Sequence, residues 1–148
     1  MVRGMSKTQA RTWFYKILAH ESTHAFLKRY ISGERVVSWL NEGIAEMLAD
    51  TLAPNSGRYR GLKAAREAVR KKGDSSFLPM LSAKRIPMDS ASYGAAQSLV
   101  RFLVSKDKSK FIQLVHKIKS GASDEKALSE AYELTHEELL QQWSRNIR

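Results

Sequence analysis

Residues 8–31, TQARTWFYKILAHESTHAFLKRYI, run without a glycine or a proline and read as one long α-helix, with Ser32-Gly33 as its natural stop. Inside it, His20 and His24 stand four residues apart and Glu21 follows the first of them. Side chains at that spacing project from the same side of a helix, so two imidazoles can reach one point. A helical wheel groups them with Trp13, Ile17, Leu27 and Ile31, and the rings are therefore expected to point inward. Buried neutral histidines need polar partners. A metal ion with hydrogen-bonded ligands is one solution; two core histidines bonded to backbone or carboxylates are another.

The rest of the chain continues as helix after helix, which predicts an all-α fold. Ser38 is the expected N-cap of a second helix that Pro54 ends. A basic helix follows over 60–72, then an ordered loop with two prolines over 75–90, holding at most one short helical turn. Further helices are expected over 90–104 and 107–119, after Ser123, and after a Thr135/Glu138 capping box. The only strand candidate is the short ERVVSW at 34–39. A length of 148 residues suits one domain, with a helix pair at about 8–54 and a helical C-terminal part at about 60–147.

The chain contains no cysteine, which excludes disulfides, thiolate metal ligands and thiol catalysis. Any metal must be held by His, Glu or Asp. The opening residues lack an apolar signal-like stretch and no apolar run is long enough to cross a bilayer. The expectation is a soluble protein, cytoplasmic if the chain is complete and extracytoplasmic where it is part of a longer one. A formal charge of +10 raises nucleic acid as a partner through basic residues 58–72. No nucleic-acid signature accompanies that segment, and a solvated basic face is the favoured alternative.

Zinc held by two histidines needs a third protein ligand and one open position. The second helix offers Glu42, Glu46 and Asp50 along one side, one short loop after the histidines. The same row is also what an amphipathic helix with a wet acidic edge would show. Glu21 lies about 100° round the helix from His20, beside a metal rather than on it, where a general base for an activated water belongs. His116 and His136 are expected to be exposed and catalytically idle.

HESTH followed at this distance by WLNEGIAE resembles the gluzincin zinc metallopeptidases, and among them the peptidase MA-like domains, whose later SYGAAQSLVRFLV-type segment also has a counterpart at 92–104. The resemblance implies a zincin-like active-site helix pair and a C-terminal helical bundle, with the β-sheet that usually precedes them reduced or absent here. It implies Zn2+ held by His20, His24 and Glu42, and a peptide or protein substrate. Glu21 becomes the general base, and Glu46 the carboxylate that orients a ligand histidine. Tyr93 becomes the stabiliser of the oxyanion. For Glu46 the alternative is an exposed surface glutamate, and for Tyr93 a ring packed on the loop. Gly43 is expected to let the two site helices approach closely. The rival to an enzyme is an inactive, zinc-stabilised helical module that engages protein or nucleic acid through its basic surface.

Overall fold

The computed structural model describes residues 6–53 and 58–147, and among them it contains helices and no strand. The helices are α1 (Lys7–Arg29), α2 (Ser38–Leu52), α3 (Arg58–Lys72), the short α4 (Leu78–Leu81), α5 (Ser90–Lys106), α6 (Lys108–Lys119), α7 (Asp124–Tyr132) and α8 (His136–Ile147). A 3-10 turn, Asp74–Phe77, runs into α4, so the ordered Pro-containing loop holds two short helical pieces where one was expected. The all-α expectation holds, and ERVVSW forms no strand. No helix among the described residues is long and apolar enough to cross a membrane. Pro54 lies outside the described residues.

Local chemistry starts most of these helices. Ser6 and Gln9 form a reciprocal capping box on α1. Asp89, Asp107 and Ser123 cap α5, α6 and α7 by accepting from the backbone N–H three residues on. Thr135 and Glu138 form the second capping box as expected. The start of α2 departs from expectation. Val37 is its N-cap, and the Ser38 hydroxyl instead accepts a hydrogen bond of 3.0 Å from the Ile86 N–H. That bond joins the first residue of α2 to the loop before α5.

Helix α5 is the centre of the molecule. It buries Ala95, Ala96, Leu99, Val100 and Leu103, with α2 and α3 packed on it and α8 closing the core through Leu139, Leu140 and Trp143. Alanines and a glycine at the crossings bring backbones close. A Cβ on Gly43 would sit 2.5 Å from the Ala96 carbonyl oxygen and 2.6 Å from Val100 Cγ2. Gly43 therefore serves the α2–α5 contact, not the approach of α1 to α2.

Helix α1 lies outside this core and rests on α2 alone among its principal contacts. Its inward stripe is consequently narrow. Leu27 is buried, whereas Trp13, Ile17 and Ile31 are 47%, 38% and 52% exposed, against the expectation that they share an interior face with the histidines. The helix also stops two residues early, at Arg29, and Ile31 adopts a positive φ of 63°. The cause is the anchoring of the following loop on the end of α6. Tyr30 Oη lies 2.8 Å from His116 Nε2, Ser32 Oγ donates to the Lys119 carbonyl, and the fully buried Lys119 ammonium donates to the Glu34 carbonyl. His116 is exposed as expected, yet it is part of this clamp.

His136 corrects another expectation. It is buried, with Nε2 3.0 Å from Asp124 Oδ2, while Trp39 Nε1 donates to the same oxygen at 3.3 Å. The pair ties α8, α7 and α2 together. Burial pushes the His136 pKa down, but Asp124, Glu125 and Glu137 outweigh it and the net shift is upward. Burial pushes Asp124 up, and His136 with Trp39 carries it below the usual carboxylate value.

Two outcomes follow from this packing. Gly43→Ala should lose about 1–3 kcal/mol in denaturant unfolding, because neither the Ala96 backbone nor Val100 can yield freely. The His136–Asp124 contribution is full between the two ordinary pKa values, is lost below as Asp124 protonates, and is lost above as His136 deprotonates through its raised value. The stability advantage of the wild type over Asp124→Asn should therefore shrink as the pH rises from the ordinary histidine value through the raised one. An advantage that stays level across that range would contradict the assignment.

Candidate metal centre

The loop clamp and the α2–α5 contact bring one side of α2 against the histidine side of α1. His20 and His24, one turn apart, meet edge to face with ring centroids 4.6 Å apart. Their Nε2 atoms are 3.0 Å from each other. Glu42 Oε2 lies 3.4 Å from His20 Nε2 and 3.6 Å from His24 Nε2. Four ligands at about 2.0–2.1 Å in a tetrahedron stand roughly 3.3–3.4 Å apart. The three atoms thus outline one face of such a tetrahedron. Among the described residues this is the one cluster of three or more His, Asp or Glu side chains close enough to share a metal ion. The three side chains are 16%, 23% and 19% exposed, sheltered on the protein side but reachable from solvent.

Glu46, one turn beyond Glu42, places Oε1 3.2 Å from His20 Nδ1 and Oε2 3.1 Å from Lys16 Nζ. A carboxylate on the far nitrogen fixes the tautomer of a ligand histidine and raises its basicity. Burial raises the Glu46 pKa, and His20 and Lys16 together turn the net shift downward, so the group remains a carboxylate. It is partly buried and engaged, not a free surface glutamate. His24 Nδ1 is buried and has no hydrogen-bond partner among the described residues.

The other expected residues divide. Asp50 is not on a wet acidic edge: it is 5% exposed, with Oδ2 3.0 Å from Arg101 Nη2 on α5. Glu21 is exposed on α1, one residue past His20, and makes no ion pair or hydrogen bond among the described residues. Tyr93, in the first turn of α5 just after the Asp89 cap, lines a cavity together with Glu42. Burial raises its pKa, with Glu42 and Glu46 adding to the rise and Arg85 opposing it. Its hydroxyl has no hydrogen-bond partner among the described residues. Lys16 was not anticipated, although it stands four residues before His20 on the same side and the helical spacing alone would have found it.

His20 lets the ligand set be tested without any assay of turnover. Hydrogen bonding to Glu42, then to Glu46, raises its pKa to about 9 against the opposing effect of burial. At neutral pH the metal-free ring carries a proton, which a cation bound at Nε2 must expel. Calorimetry in buffers of differing ionisation heat should therefore report close to one proton released per zinc bound near pH 7. Apparent affinity should rise with pH and level off above about 9. Binding that releases no proton would remove His20 from the ligand set. No protein-family model, no curated protein and no solved structure matches this chain.

Proposed function

We propose that the chain is a zinc-dependent metallopeptidase of gluzincin type, with His20, His24 and Glu42 holding the ion and Glu21 acting as general base. The observation that carries this is the triangle of two imidazole nitrogens and one carboxylate oxygen, with sides of 3.0, 3.4 and 3.6 Å. Two histidines and a glutamate form a donor set that suits zinc, and three protein ligands leave a position for solvent. When bound, the ion supplies Lewis acidity and lowers the pKa of a coordinated water.

The remaining chemistry belongs to the chain. Glu46, held by Lys16, keeps the His20 ring oriented with Nε2 toward the site. The carboxylate of Glu21 accepts a proton from the attacking water and returns it to the leaving amine. Its solvent exposure supports this role, since the group has no competing partner and stands next to His20 in the chain. The Tyr93 hydroxyl, unpartnered and beside Glu42, donates to the oxygen that gains charge during attack. Its raised pKa keeps it in the protonated, donating form.

The test separates binding from turnover. Glu21→Gln should retain the wild-type zinc content and lower the hydrolysis of a quenched fluorescent peptide library by about 10²–10⁴-fold. Wild-type rates in that variant, at unchanged zinc content, would show that Glu21 is not the base.

A further inference from the structure

Beside the candidate centre, the loop before α2 and the loop before α5 enclose a cavity of about 420 Å³. Glu42 and Tyr93 line it, and Arg35, Lys84 and Arg85 contribute its basic lining. The Ser38–Ile86 hydrogen bond ties the start of α2 to the loop before α5, so the cations come from both sides of one anchored junction. All three are exposed, and none forms an ion pair among the described residues.

Other exposed cations, among them Lys63, Arg70 and Lys71 on α3, also form no ion pair among the described residues; Arg35, Lys84 and Arg85 are distinguished by lining one concavity. Lys117 is paired with Glu130, Lys16 with Glu46 and Arg101 with Asp50. The one acidic residue that lines the cavity, Glu42, is already directed at His20 and His24. Three like charges around one concavity repel each other and raise the local concentration of anions. Arginine in particular presents a planar fork matched to a carboxylate.

The cavity also has a direction. It shares Arg35, Val36 and Asn41 with a second hollow that reaches His24, and Met88 and Tyr93 with a third that reaches Glu46. Adjoining through these shared residues, the three hollows make a groove lined by His24, Glu42 and Glu46. Among the described residues Tyr93 is the one Phe, Tyr or Trp lining these three hollows, and they show no ladder of such rings on which successive bases would stack. A peptide therefore fits better than a single-stranded nucleic acid.

The geometry points to a carboxylate-binding subsite: Arg35, Lys84 and Arg85 receive an acidic group of a peptide lying in the groove, next to the bond presented to His20, His24 and Glu42. The subsite gives the proposed peptidase a substrate class, acidic peptides, and its role in specificity rests on that proposal. Binding of the carboxylate itself does not need the metal. The acidic group is either an Asp or Glu side chain or the C-terminal carboxylate of the peptide.

Fluorescence anisotropy with the full chain, in zinc and separately in chelator, tests this directly. The probes are a short labelled peptide with a central Glu-Glu pair and an amidated C-terminus, its Gln-Gln and Lys-Lys counterparts, the Gln-Gln peptide with a free C-terminus, and a labelled oligothymidylate. At least one carboxylate-bearing peptide should bind about tenfold or more tightly than amidated Gln-Gln, with Lys-Lys weakest, in either medium. Preference for Glu-Glu assigns the site to a side chain, and preference for the free terminus assigns it to the chain end. Lys84→Gln/Arg85→Gln and, from the other loop, Arg35→Gln should each reduce that preference, with unchanged thermal unfolding as the check on folding. Equal binding of the Glu-Glu peptide and both Gln-Gln peptides overturns the inference, even if all are hydrolysed and the peptidase proposal survives. Selective binding without hydrolysis sustains the subsite and removes the peptidase. Tight oligothymidylate binding that depends on the same three cations, without carboxylate preference, makes the groove a phosphate site and also overturns it.

Discussion

Helix α2 is held from two sides, and the candidate centre depends on both. One side carries Gly43, whose missing side chain lets the helix sit directly on the Ala96 backbone of α5. Gln97 Nε2 donates to the Glu46 carbonyl at 3.1 Å, and Arg101 meets Asp50, so the contact is fixed along the length of the helix. The other side presents Glu42 and Glu46 to α1. A slip of one turn would move each carboxylate about 5.4 Å along the axis, more than the whole width of the ligand triangle. The loop between the helices cannot absorb such a slip easily, because Lys119 and His116 at the end of α6 clamp it.

Charge is distributed to the same end. The chain carries a net +10, yet Glu42 and Glu46 are gathered on the two histidines, with Lys16 ion-paired to Glu46. The metal-free centre responds by keeping a proton on His20. Under the proposed zinc binding, a divalent cation would compete with that proton for the same carboxylates and the same ring nitrogen. Around the rim the sign reverses, and Arg35, Lys84 and Arg85 face the groove. In the proposed reading, this cationic rim around an anionic floor separates two tasks, drawing in an anionic group without placing it on the candidate ligands.

Much of this was readable from the chain, for physical reasons. Helical spacing alone put His20 beside His24 and Glu42 beside Glu46, and local hydrogen bonding announced the Ser123 cap and the Thr135/Glu138 box. The errors came where tertiary contacts decide. Asp50 shares its spacing with the two glutamates, but one more turn of helix drift brings it to Arg101 on α5, which no local pattern reveals. His136 looked like an exposed residue in a first turn, and only the return of α7 supplies Asp124 to bury it. Trp13 and Ile17 follow a good amphipathic pattern, yet the pattern records what a face can bury and not how much neighbouring structure is there to cover it. Gly43 was correctly singled out for close approach, with the wrong helix as its neighbour.

Zinc K-edge X-ray absorption on protein reconstituted with one equivalent of zinc tests the shared coordination most directly. Two imidazole nitrogens, one carboxylate oxygen and one further light atom at about 2.0–2.1 Å are predicted, with the imidazole scattering reduced in His24→Ala. A spectrum of zinc in a shell of water and carboxylate oxygens, unchanged by that substitution, would contradict the convergence of α1 and α2 on one ion.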